Sequence, residues 1–246
     1  MRFSTTLYCL PIGLAAGLGL EVFGCVQEAT AAQTVEVDQG TFIVELSGRA
    51  VGTEAFRILR SGFGDNARTI AQGTLDIVQD GSRQSVQALL GAVGGGMSIE
   101  AYQVKVSLPS EVLVRLELRG DRMVGEITSQ AGVEEREYRE VSPQTPMLVL
   151  DRLFAHQYFF VAPHQTPTGV TLSVILPRPG GQLNGTLRMT AVEPVTIGQT
   201  TIQVQRLELR LGGAVHDIWL DGQNRVLRVQ IPSQEYVAVR RDPPPG

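Results

Sequence analysis

Apolar and polar residues alternate with a period of two along most of this chain. The clearest stretch sets Val112, Val114, Leu116 and Leu118 against Leu113, Arg115, Glu117 and Arg119. In an extended backbone successive side chains point to opposite faces, so this pattern predicts a half-buried antiparallel strand. Comparable stretches run from Thr41 to Ser47, Ala55 to Arg60, Thr69 to Val78, Arg83 to Leu90, Ser98 to Ser107 and Met123 to Ser129. A second series runs through Gly169 to Leu176, Gly185 to Val192, Gln199 to Leu211, His216 to Leu220, Arg225 to Ile231 and Glu235 to Arg240. Asp80-Gly81, Gly120-Asp121, Asn184-Gly185 and Asp221-Gly222 supply hairpin turns between them. Ile202 and Val204 have one parity while Leu207, Leu209 and Leu211 have the other, so one continuous buried face requires a bulge near Gln205-Arg206. About a dozen short strands do not stay flat. The expected fold is all-β and mainly antiparallel, a curved sheet or open barrel.

The period changes once. From Pro146 to Val161 the residues Leu150, Leu153, Phe154, Tyr158 and Val161 recur at helical spacing, with Thr145 placed to cap and Pro146 suited to a first turn. This predicts one amphipathic helix over residues 146–161, ending before Pro163 and laid as a lid over the concave face. The tail, residues 242–246, has no pattern and is expected to be disordered.

The first thirty-two residues do not belong to the domain. Arg2, the apolar run Leu7 to Leu20 and the small residues Ala29-Thr30-Ala31-Ala32 read as an export signal. Cleavage after Ala32 leaves a single β domain, residues 33–241, and removes both Cys9 and Cys25. The mature chain then has no thiol for a disulfide, a nucleophile or a metal site. The alternative is at Val22-Phe23-Gly24-Cys25, which partly resembles a lipoprotein box whose cysteine is lipidated at export. Phe23 departs from its usual small residue. Lipidation of Cys25 would tie the domain to a membrane surface in the cell envelope; cleavage leaves it free in the periplasm or outside.

The net charge is -4, and Lys105 is the only lysine among twenty-one basic residues. No like-charged run suits a polyanion, so nucleic acid is not an expected partner. His156, His164 and His216 lack metal-ligand spacing, and structural or solvent roles are expected for them. Gly91-Ala92-Val93-Gly94-Gly95-Gly96 is followed by a strand rather than by a lysine and a helix, so it reads as a hairpin tip or cavity lip and not a phosphate loop. The passage Glu134 to Glu140 interleaves acids with arginines, as on a charge-protected edge strand. Arg119-Gly120-Asp121 and Asn184-Gly185-Thr186 spell an adhesion tripeptide and a glycosylation acceptor, but turns favour the same residues. No serine elbow, metal motif or cofactor motif is present.

Two passages carry a resemblance. Gly48 to Phe56 resembles the opening hairpin of a family of exported bacterial β proteins of unknown function, and Asp217 to Val229 is similar to its closing hairpin. The order of strands, helix and further strands is similar too. The resemblance implies a β fold and an envelope location, and it transfers no catalytic residue. At the level of fold the curved sheet also resembles the open barrels of envelope lipid carriers, in which a helix covers an apolar concavity.

These readings converge on an exported, non-enzymatic protein without a cofactor, binding an apolar or lipid-like ligand. Leu150, Leu153, Phe154 and Tyr158 are the expected lining, with Trp219 on the sheet. An envelope scaffold acting through its surface, and a hydrolase whose carboxylates converge only in space, are the alternatives.

Overall fold

Among the described residues of the computed structural model fifteen strands form one sheet, and their order follows from local pairing. Residues 33–108, 110–140 and 144–245 are described, with only the backbone at 139–140. The export segment, including Cys9 and Cys25, lies outside the described residues. The first eight strands are β1 Thr34–Leu46, β2 Arg49–Ser61, β3 Arg68–Gln79, β4 Ser82–Val93, β5 Ser98–Leu108, β6 Val112–Arg119, β7 Arg122–Ser129 and β8 Gly132–Glu140. The remaining seven are β9 Met147–Val149, β10 Val170–Leu176, β11 Gly181–Ile197, β12 Thr200–Leu211, β13 Ala214–Leu220, β14 Val226–Ile231 and β15 Tyr236–Arg240.

The sheet is two meanders joined at their ends. One runs from β1 outward to the edge strand β8. The other runs from the opposite edge, β9, back to β15, which pairs antiparallel with β1. Every pairing is antiparallel except that of β9 with β10. The two edges do not pair with one another, so the sheet is strongly curved and unclosed. It rolls far enough that β9 packs across the interior on β5. The charged passage at 134–140 lies in the edge strand β8, where charge discourages further pairing.

The mid-chain segment departs from the expected lid helix. Met147–Val149 is taken by the sheet, with Leu148 opposite Val174. The chain then turns through Leu153, whose φ of 69° is left-handed and ends any regular helix. Only His156–His164 is helical, as a 3₁₀ segment that contains Pro163 rather than stopping before it. The reason is burial: every residue from His156 to Ala162 is buried, leaving no polar face to lie on a surface. The segment is a plug inside the curved sheet. It packs among Phe42, Phe56, Leu90, Val104, Leu116 and Ile218 in the main core.

Two local expectations are also corrected. β12 runs without an extra residue, and the irregularity is in β11 at Thr190, opposite Arg206 and Leu207. The parity change therefore moves the buried side from one face to the other: Leu207, Leu209 and Leu211 face the main core, whereas Val204 joins Ile197, Trp219 and Leu227 in a second, outer cluster. Asn184-Gly185 falls inside β11, and the turn is made earlier, at Pro177–Gly180, where Pro177 and Pro179 cannot donate to a ladder and Gly180 takes a φ of 76°. At the C-terminus, the carbonyl of Pro245 accepts a 2.6 Å hydrogen bond from Arg225 Nη1.

Candidate functional site

The plug is held by polar groups that reach it from the sheet. Glu54 on β2, fully buried, turns inward and accepts from the backbone N–H of Ala155 at 2.6 Å and of His156 at 3.1 Å. It also pairs with Nδ1 of the His156 ring. That ring lies against Gly73, where a Cβ would stand 2.4 Å from Cε1, so β3 is shaped to receive it. Phe56, the cross-strand partner of Gly73, stacks with the imidazole, and Phe154 meets it edge-on at 5.5 Å. Asp151, at the start of the plug, accepts from Tyr102 of β5 at 2.8 Å and from Arg178 Nε at 2.8 Å. Its own backbone N–H donates to Gln157 Oε1, whose amide nitrogen donates to the Tyr102 oxygen. Burial and the Asp151 carboxylate both push the Tyr102 phenol well up, so it remains a donor.

Toward one end of the interior lies a buried ion pair. Arg240 on β15 makes two hydrogen bonds to Asp38 on β1, at 2.9 and 2.8 Å, and lies over Phe56. Burial raises the Asp38 carboxyl against the lowering effect of Arg240. The glycine-rich tip between β4 and β5 is at this same end, since Val93 pairs with Arg68 and Ser61 with both Arg68 and Thr34. It is not the lip of the cavity described next.

At the other end, where Leu46 pairs with Tyr236, the plug and the sheet leave a cavity of about 430 Å³. Its wall is mostly apolar, with Leu150, Phe154, Tyr158, Ile231 and Tyr236 buried. Arg152, Pro179 and Gln234 are exposed and form its rim. Of the five residues read from the sequence as ligand-binding, Leu150, Leu153, Phe154 and Tyr158 line this cavity. Trp219 does not, and that expectation is corrected. On β13 the inward positions are His216, Ile218 and Leu220, whereas Asp217 and Trp219 face outward. Trp219 lies between the guanidinium groups of Arg206 and Arg228 and donates to Glu193 at 2.5 Å.

Sequence reasoning missed His216 as a cavity residue, although its parity with Ile218 and Leu220 was legible. Its Nδ1 lies 2.6 Å from the Tyr158 hydroxyl. Burial lowers the imidazole to about 4 against the small opposing effect of Asp217, and burial raises the Tyr158 phenol. Both groups are uncharged at neutral pH. Asp151 is the single carboxyl among the lining residues, and both its oxygens are engaged. Among the described residues, no group of three or more His, Cys, Asp or Glu side chains converges to hold a metal ion.

No protein-family model matches the chain, and no curated protein matches it in sequence. Among solved structures it is similar to a beta-barrel-like protein of a domain of unknown function, DUF1849, from Brucella abortus. The identity is 10%, the TM-score 0.49, and the match covers 85% of this chain and 96% of that one.

Proposed function

We propose that this chain is an exported, non-enzymatic binding protein that holds one apolar or lipid-like small molecule between the plug and strands β1, β13, β14 and β15. The observation that carries this reading is the cavity itself: the plug and the sheet leave about 430 Å³ between them, within the range of small-molecule sites. An apolar wall with a few inward polar groups is the composition such sites require. Export rests on the signal-like segment at residues 1–32. A lone, fully engaged carboxyl offers no acid and base pair, so hydrolysis is not part of the proposal.

The test uses the full chain expressed in a bacterium, exposed to a lipid extract without detergent, reisolated and weighed by native mass spectrometry. A single adduct of small-molecule mass is expected. Leu176→Trp, which adds bulk at a half-buried lining position, is expected to abolish it. No adduct, or an adduct that survives this substitution, would refute the reading.

A further inference from the structure

The cavity has a polar pole, and its hydrogen bonding determines what it accepts. His216, Tyr158 and Tyr236 line it and are each more than nine-tenths buried. The Tyr158 phenol and the His216 imidazole, 2.6 Å apart, have two ways to share a hydrogen. If Nδ1–H donated to the phenol oxygen, the phenol hydrogen would have no acceptor among the described residues. With the phenol donating to Nδ1, both are satisfied, and the ring carries its hydrogen on Nε2. That Nε2–H has no partner among the described residues. The Tyr236 hydroxyl, on the neighbouring wall, has none either.

Among the described residues no free cation faces an anionic guest at this pole, since Arg178 is engaged by Asp151. Asp151 lines the cavity, and Glu54 acts electrostatically on the Tyr236 phenol. The cation among the lining residues, Arg152, is exposed at the rim. We infer that the cavity takes an apolar molecule whose buried end bears an uncharged acceptor oxygen, a hydroxyl or a carbonyl, received by Nε2–H of His216. Tyr158 is the positioning residue, since it fixes which ring nitrogen carries the hydrogen. The inference rests on the proposed binding function and specifies the class of its ligand.

The experiment is a competition between n-decanol and n-undecane, in which a methyl group replaces the hydroxyl, with decanoate as the anionic probe, read by native mass spectrometry at neutral pH. One net hydrogen bond predicts roughly fivefold preference for n-decanol over n-undecane. His216→Phe is expected to remove the preference while n-undecane still binds. His216→Gln, which keeps an N–H near the Nε2 position, is expected to retain it, and also guards against a folding defect in the phenylalanine variant. Equal binding of the two probes by the wild-type protein, tightest binding of decanoate, or a preference that survives His216→Phe would overturn the inference alone. Binding of none of the three probes would overturn the proposed function with it.

Discussion

Glu54→Gln tests how the plug is held. The substitution preserves shape but replaces one acceptor oxygen with an NH₂ group. In the native structure one oxygen accepts from Ala155 N–H, and the other meets both the backbone N–H and the ring Nδ1 of His156. A glutamine can retain one side of this arrangement. Its better orientation keeps the His156 side and turns its own donor toward Ala155 N–H, leaving a buried N–H unsatisfied. An unsatisfied buried donor costs about 1 to 3 kcal/mol, and the opposed donor adds to this, so a loss of roughly 2 to 3 kcal/mol is expected. For a domain of this size that lowers Tm by about 4 to 12 °C. Thermal unfolding by circular dichroism measures it, and hydrogen exchange should show lost protection at Ala155 and His156. The control is Glu36→Gln. Its partner Arg57 is 56% exposed, so less than about 1 kcal/mol is expected. If Glu54→Gln shifted Tm no more than Glu36→Gln, the plug would not depend on the Glu54 anchor.

Three further outcomes follow from the same geometry. Gly73→Ala places a Cβ 2.4 Å from the buried His156 ring and should cost at least about 1 to 3 kcal/mol, whereas Gly91→Ala, whose nearest neighbour is 3.9 Å away, should be close to neutral in urea unfolding. Trp219→Ala should destabilise the outer cluster by roughly 3 kcal/mol in the same assay and leave n-decanol binding unchanged, because Trp219 faces away from the cavity. His216 has its folded pKa lowered to about 4 from an unfolded value of 6.5, so the unfolded chain binds more protons between those limits and stability rises with pH across them. The contribution, about 3 kcal/mol, is present in full above the unfolded value and lost as pH falls through the folded one. The pH dependence of unfolding for wild type minus His216→Phe should show that slope, and a flat difference would contradict it.

Most strands were legible because they are half-buried, and half-burial is what a period of two records. Val112 to Leu118 needed no further information. The mid-chain segment was misread for the complementary reason: once buried on all sides, Phe159, Phe160 and Val161 fit a helical period as well as any other, and the periodicity could not tell a lid from a plug. Met147–Val149 is too short to display alternation, so its pairing with β10 was invisible. The outward position of Trp219 was legible from parity, since Ile218 and Leu220 on either side take the inner face. The Glu54 anchor had no local signal, since its partners lie about a hundred residues away in sequence. The cavity was inferable only as a choice between a filled and an unfilled concavity, because its volume is set by how the plug seats.

The most direct test of the central claim is the crystal structure of the full chain grown with a terminally brominated n-decanol, with bromine located by its anomalous signal. The bromine is expected within or at the rim of the cavity lined by Leu150, Phe154, Tyr158 and Ile231, with the hydroxyl oxygen at Nε2 of His216. Bromine found only on the outer face, such as the shallow groove at Ile70 and Leu89, or nowhere on the protein, would contradict it.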